Sequence, residues 1–219
     1  MPPPATDKRV FRPDLSHRQE NVYAVYMSAP ATADRILRAA RALFERGGVE
    51  AVTMRAIAKA VGITPMAIYR HFPNREALLQ RISDDSFHEI ARHWSARNDG
   101  SDVIARLLAV QRIYLDYALA HPHLFDHAFS MRREQARRFP EDFRARRSPT
   151  LNVVADVVIE AQQAGRLRAG DAWDIAMSLW AHTHGLIALY RAGRFSYDER
   201  EFRRFYEASL QRLLDGIGA

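Results

Sequence analysis

Residues 52–79, VTMRAIAKAVGITPMAIYRHFPNREALL, decide how this chain is read. They spell two short helices joined by a tight turn, then the start of a third. Thr53 is an N-cap residue, and Ile57, Ala58 and Val61 recur behind it at helical spacing. Gly62 stands where that helix needs a residue at positive φ to end. Thr64 can cap the next helix, with Pro65 at its first position, where the absent N–H costs nothing. Ile68 and Phe72 turn inward, Pro73 stops the helix, and Asn74 caps another that begins Arg75-Glu76-Ala77-Leu78. Helix, three-residue turn, helix is the layout that seats a second helix in the DNA major groove. The pattern predicts a DNA-binding unit.

The charge distribution agrees. The net charge of +6 is carried almost wholly by residues 31–83, which hold nine basic and four acidic side chains. Residues 84–219 hold nineteen of each, and residues 1–30 four and three. Phosphate attraction would need the excess on this unit, whereas a generic basic protein would spread it.

With 219 residues and 47% hydrophobic composition, the chain can bury a sizeable core. No cysteine is present, which excludes a disulfide framework and thiolate chemistry. No apolar run approaches the roughly 20 residues of a membrane span, and MPPPATDKR lacks the apolar stretch of a secretory signal. The expectation is a soluble cytoplasmic protein. Residues 1–30, with Pro2, Pro3, Pro4, Pro13 and Pro30, are read as a flexible N-terminal arm. Either Met27 is the biological start, or the arm is real and Arg9, Arg12 and Arg18 can reach a DNA groove.

Beyond the DNA-binding unit, helical periodicity predicts helices at Arg75 to about Trp94, 101–120, a short aromatic one around Leu124 and Phe125, 150–164, 171–192 and 198–216. No segment alternates at period two for long enough to make a strand. The expected fold is all-α. Its parts are an arm (1–30), a three-helix helix-turn-helix domain (31–76), and a helical ligand-binding and dimerisation domain (77–219).

The stretch Ile68-Tyr69-Arg70-His71-Phe72 with Asn74-Arg75-Glu76-Ala77-Leu78, behind Thr53, Ile57-Ala58 and Val61-Gly62-Ile63, resembles the DNA-binding region of the tetracycline-repressor (TetR) family of bacterial transcriptional regulators. Ile36 to Phe44 followed by Gly47-Gly48 looks like that family's first helix and its exit. The resemblance implies a regulator, most simply a repressor released from operator DNA by a small molecule. It carries DNA-contact positions onto Arg55, Thr64, Pro65, Met66, Ala67, Tyr69, His71 and Arg75. Arg55 can fork onto guanine O6 and N7. Pro65, Met66 and Ala67 offer apolar surface to thymine methyls, and Pro65 and Met66 replace the small or polar residues common in relatives. Thr53, Tyr69, His71 and Arg75 would meet phosphates.

Trp180-Ala181-His182-Thr183-His184-Gly185 is similar to the C-terminal signature of one TetR subgroup. That likeness implies a homodimer built through the last two helices, whose apolar residues include Ile175, Leu179, Leu186, Leu189, Phe202, Phe205, Leu210, Leu213 and Leu214, and palindromic operator half-sites. It also implies an effector cavity in the C-terminal domain, for which Phe87, Phe125, Phe129, Met177, Trp180 and His184 are the candidate ligand-binding residues. The competing readings are an enzyme using that cavity, or a metal-responsive sensor built on His121, His123, Asp126 and His127. Neither a phosphate loop, a nucleophile elbow nor a recurring ligand spacing supports them. No metal, no cofactor and no catalytic residue is expected.

Overall fold

A computed structural model describes residues 31–95, 102–130 and 136–219. The expected arm at 1–30 lies outside the described residues. The described residues form helices throughout, with an isolated bridge between Leu167 and Gly218 as the single β-type pairing among them.

Three helices make the N-terminal unit: α1 (Thr32–Ala51), α2 (Met54–Val61) and α3 (Pro65–Tyr69). Its local signals are those the sequence predicted. The Thr53 hydroxyl accepts the Ala56 N–H at 3.1 Å, and Thr64 accepts that of Ala67 at 3.3 Å. Gly62 ends α2 at φ +76°, in the left-handed region. The α1 backbone breaks where Gly47-Gly48 implied an exit, since Gly47 and Gly48 leave helical geometry before the helix resumes through Ala51. Ile36, Phe44, Ile57 and Ile68 are fully buried between the three helices, each contributing about 1.5–3 kcal/mol of burial. Arg35 adds a polar tie from α1 by donating to the Val61 carbonyl at 2.8 Å.

Helix α4 (Arg75–Ser95) starts at the Asn74 cap, where Asn74 Oδ1 accepts the Ala77 N–H at 2.7 Å, and carries the chain into the second unit. There follow α5 (Val103–Ala120), α6 (Pro122–Phe125), a π-helical turn (Asp126–Ser130), α7 (Glu141–Arg144), α8 (Pro149–Gln163), α9 (Ala172–Arg191) and α10 (Glu199–Ile217). Helix α8 packs against α4, α5 and α9, and α10 lies on α5 and α9. Helix α6 touches both α1 and α5, so it bridges the two units. Arg191 anchors it from α9, gripping the Asp126 carboxylate at 3.1 and 2.6 Å and the Pro122 carbonyl at 3.2 Å. None of the described helices is long and apolar enough to cross a membrane.

The expected dimer-forming stripe divides into two faces. Leu179, Phe202, Leu210 and Leu214 are buried in the protomer's own core, at 0–3% exposure. Leu186, Phe205, Leu213 and Ile175 are half-buried, and Leu189 is 48% exposed. An apolar periodicity on two stacked helices serves both faces at once, so Leu210 belongs to the fold and Leu189 to the surface.

Candidate functional site

Two sites follow from this architecture: an exposed face on the N-terminal unit and a cavity in the C-terminal one. On the first, Thr53, Arg55, Thr64, Pro65, Met66, Tyr69 and His71 are all exposed, and Ala67 is half-buried. Met66 at 69% and Tyr69 at 47% are among the most exposed large hydrophobics described. The fold does not bury these side chains, which leaves them for a partner. Thr53 and Thr64 accept helix N–H groups through oxygen, so each keeps its hydroxyl proton to donate outward.

Arg75 stands apart from this group. Its Nε donates to the Val52 carbonyl at 2.7 Å, and Nη2 to the Val49 carbonyl. Both acceptors lie at the end of α1, where the Val49 carbonyl also takes the Val52 N–H at 3.1 Å. The expected phosphate contact presumed a guanidinium turned outward, whereas one edge of Arg75 is occupied in clamping α4 to α1.

The cavity has a volume of about 200 Å³. Phe87, Tyr114, Phe129, Phe143, Leu151, Val154 and Trp180 supply its apolar wall, with Ala128 and Ala136. Gln111, Arg137, Ser148 and Thr150 supply the polar groups. Of the six expected ligand residues, Phe87, Phe129 and Trp180 line it. Phe125 and His184 lie one layer behind: Phe125 is fully buried, with its ring stacked on His184 at 5.4 Å and tilted against Phe129 at 5.2 Å. Met177 is not among the lining residues and is half-buried on α9.

The polar centre of the wall is Tyr114 on α5, outside the six expected residues. Trp180 Nε1 donates to its hydroxyl oxygen at 3.0 Å, and the hydroxyl faces His184 Nδ1 at 3.0 Å. The oxygen accepts from the indole, and the Tyr114 hydroxyl and His184 Nδ1 share a hydrogen bond whose direction follows the imidazole tautomer. Burial holds the His184 pKa below the usual histidine value, partly countered by Asp126, and pushes the Tyr114 phenol well above its own. Both groups stay neutral at physiological pH. His184 touches Tyr114 and is not among the lining residues. Arg137 also stands outside the six expected residues. It rests 5.1 Å from the centre of the Phe87 ring and donates to Asp84 at 3.3 Å.

Among the described residues no group of three or more His, Asp or Glu side chains converges as metal ligands would. The His127 ring packs 5.3 Å from that of Phe44, and the His123 ring lies against Gly48.

Two family models match the chain and follow the same division. One, described as bacterial regulatory proteins of the tetR family, matches residues 36–82. The other, a tetracyclin repressor-like C-terminal domain, matches residues 107–215. This chain belongs to the TetR family. Among curated proteins it is similar to the HTH-type transcriptional regulator UidR of Escherichia coli, 44% identical over 54 residues, covering 25% of this chain and 28% of that one. It also matches the HTH-type transcriptional regulator TtgR of Pseudomonas putida, 33% identical over 87 residues, covering 40% and 41%. These matches span under half of either relative. Solved structures extend the likeness of fold. A protein of unknown function from a Rhodococcus species superimposes with a TM-score of 0.72 at 22% identity, covering 88% of this chain and 97% of that one. FadR of Bacillus subtilis, solved with stearoyl-CoA, superimposes with a TM-score of 0.67 at 16% identity, covering 84% and 98%.

Proposed function

We propose that this TetR-family chain is a homodimeric, DNA-binding regulator of transcription, most simply a repressor, released from a palindromic operator by a small and largely apolar effector bound in the cavity. The observation that carries the reading is the outward face of α2 and α3, where Met66 and Tyr69 stay exposed on a tightly packed scaffold that bears the chain's excess positive charge. In this reading Arg55 reads guanine, and Pro65, Met66 and Ala67 lie over thymine methyls. Thr53, Thr64, Tyr69 and His71 hold phosphates, while Arg75 sets the angle of α4 and offers phosphate only its free edge.

Dimerisation is supported by the outer side of α9, where Gly185 has open space in place of a Cβ and Leu189 is exposed. A mid-helix glycine costs about 1 kcal/mol relative to alanine, and close approach of a partner helix gives it a purpose. Two recognition helices would then read half-sites about 34–36 Å apart, and an effector that binds one spacing better shifts the dimer toward it.

The test is selection of bound sequences from a random duplex pool, followed by titration of the selected DNA complex with lipophilic compounds. The expected result is a palindrome with a guanine and adjacent thymines in each half, and release by at least one compound class. Absence of any sequence preference would refute the DNA-binding assignment.

A further inference from the structure

We infer that the cavity takes a small monocarboxylate, with a single aromatic ring or short aliphatic chain as its body and its anion on Arg137. The inference rests on the cavity being the effector site and concerns the ligand's charge. Arg137 is the one charged side chain among the described lining residues, and the carboxylate it pairs with, Asp84, is not one of them. Its guanidinium is held in place by the Phe87 face at 5.1 Å and by a bond from Nη2 to Asp84 at 3.3 Å. An arginine fork has five N–H donors, so one such bond leaves an edge able to take a carboxylate.

The neighbouring groups favour a ligand that accepts hydrogen bonds. The Tyr114 oxygen receives the Trp180 N–H, and its hydroxyl is engaged with His184 Nδ1. The Ser148 oxygen receives the Leu151 N–H at 3.3 Å, which leaves the hydroxyl to donate. Ser148 thus offers an O–H donor on the same wall as the arginine. The volume of about 200 Å³ lies below the roughly 300–1,000 Å³ of pockets for drug-sized ligands, which suits a body of one ring or a short chain.

The experiment is calorimetric titration of the full chain with phenylacetate, 4-phenylbutyrate and hexanoate, each beside its primary amide, which keeps the shape and removes the charge. Each acid that binds is expected to bind at least tenfold tighter than its amide. Arg137→Gln should bring the acids down to the level of the amides and leave amide binding unchanged, with Arg137→Lys between. Equal affinity of acids and amides for the wild type overturns the inference, as does an Arg137→Gln variant that keeps the difference or loses both classes alike. Filling the cavity with Val154→Trp, or more mildly with Ala128→Leu, separates the two levels of failure. If acids and amides bind equally and these variants block both, the cavity remains the effector site and the anion assignment falls. If no compound binds, or filling changes nothing, both readings fall.

Discussion

Replacing Arg75 with alanine tests whether that guanidinium serves the fold or the phosphate backbone. The substitution removes two charge-assisted hydrogen bonds, to Val52 at 2.7 Å and to Val49. Bonds to charged groups contribute about 1.5–3 kcal/mol each. Arg75 is only half-buried, and water can replace it at the carbonyls, so the low end of that range applies. The expected loss is about 2–3 kcal/mol. Urea unfolding should show it as a lower midpoint with an unchanged slope, because the surface exposed on unfolding hardly differs. Operator binding measured from low to high salt supplies the second reading. A phosphate ligand would lower the slope of log K against log salt by about one, whereas a clamp should weaken binding with a change well under half of that. An unshifted urea midpoint together with a slope lower by about one would refute the clamp.

Tyr69→Phe removes a hydroxyl from a half-exposed ring and should weaken binding to all duplex sequences alike, by a few-fold, in fluorescence anisotropy; a loss confined to one base position would count against a phosphate contact. Leu189→Asp is expected to give a folded monomer with poor operator affinity, whereas Leu210→Asp, at 1% exposure, should unfold the protomer, and sedimentation with circular dichroism separates the two outcomes. His184 has a folded pKa depressed by burial, so its contribution to stability is present in full above the unfolded value of about 6.5 and is lost as pH falls toward the lower folded value. The melting temperature of His184→Gln should therefore fall less than that of the wild type between pH 7.5 and 5.5, and parallel curves would contradict the assignment.

The helix-turn-helix was legible because its signals are local. Thr53, Gly62, Thr64, Pro65 and Asn74 act within three or four residues of themselves, so sequence spacing fixes their work. The role of Arg75 was not legible, because its partners lie 23 and 26 residues upstream. Nor was that of Tyr114, whose partners are 66 and 70 residues downstream. Helical periodicity over 101–120 has no means of telling a core contact from a cavity wall. Phe87, Phe129 and Trp180 were found because large aromatics on neighbouring helices tend to meet. Met177 satisfied the same criterion and missed the wall through the angle at which α9 presents it. The π-helical turn at Asp126–Ser130 left no signal in the periodicity.

Gly48 sits at φ +63° and ψ −161°, a conformation essentially reserved for glycine, and a Cβ there would lie 3.4 Å from His123 Nδ1 on α6. The bend at the end of α1 therefore contains no side chain that could change rotamer and absorb a displacement. The two units touch here across a glycine and an imidazole, so the seating of α6 on α1 depends on a position whose backbone conformation favours glycine. Gly48→Ala should accordingly produce a protein that still folds, by circular dichroism, and points its DNA-binding unit in the wrong direction, read as lost operator affinity.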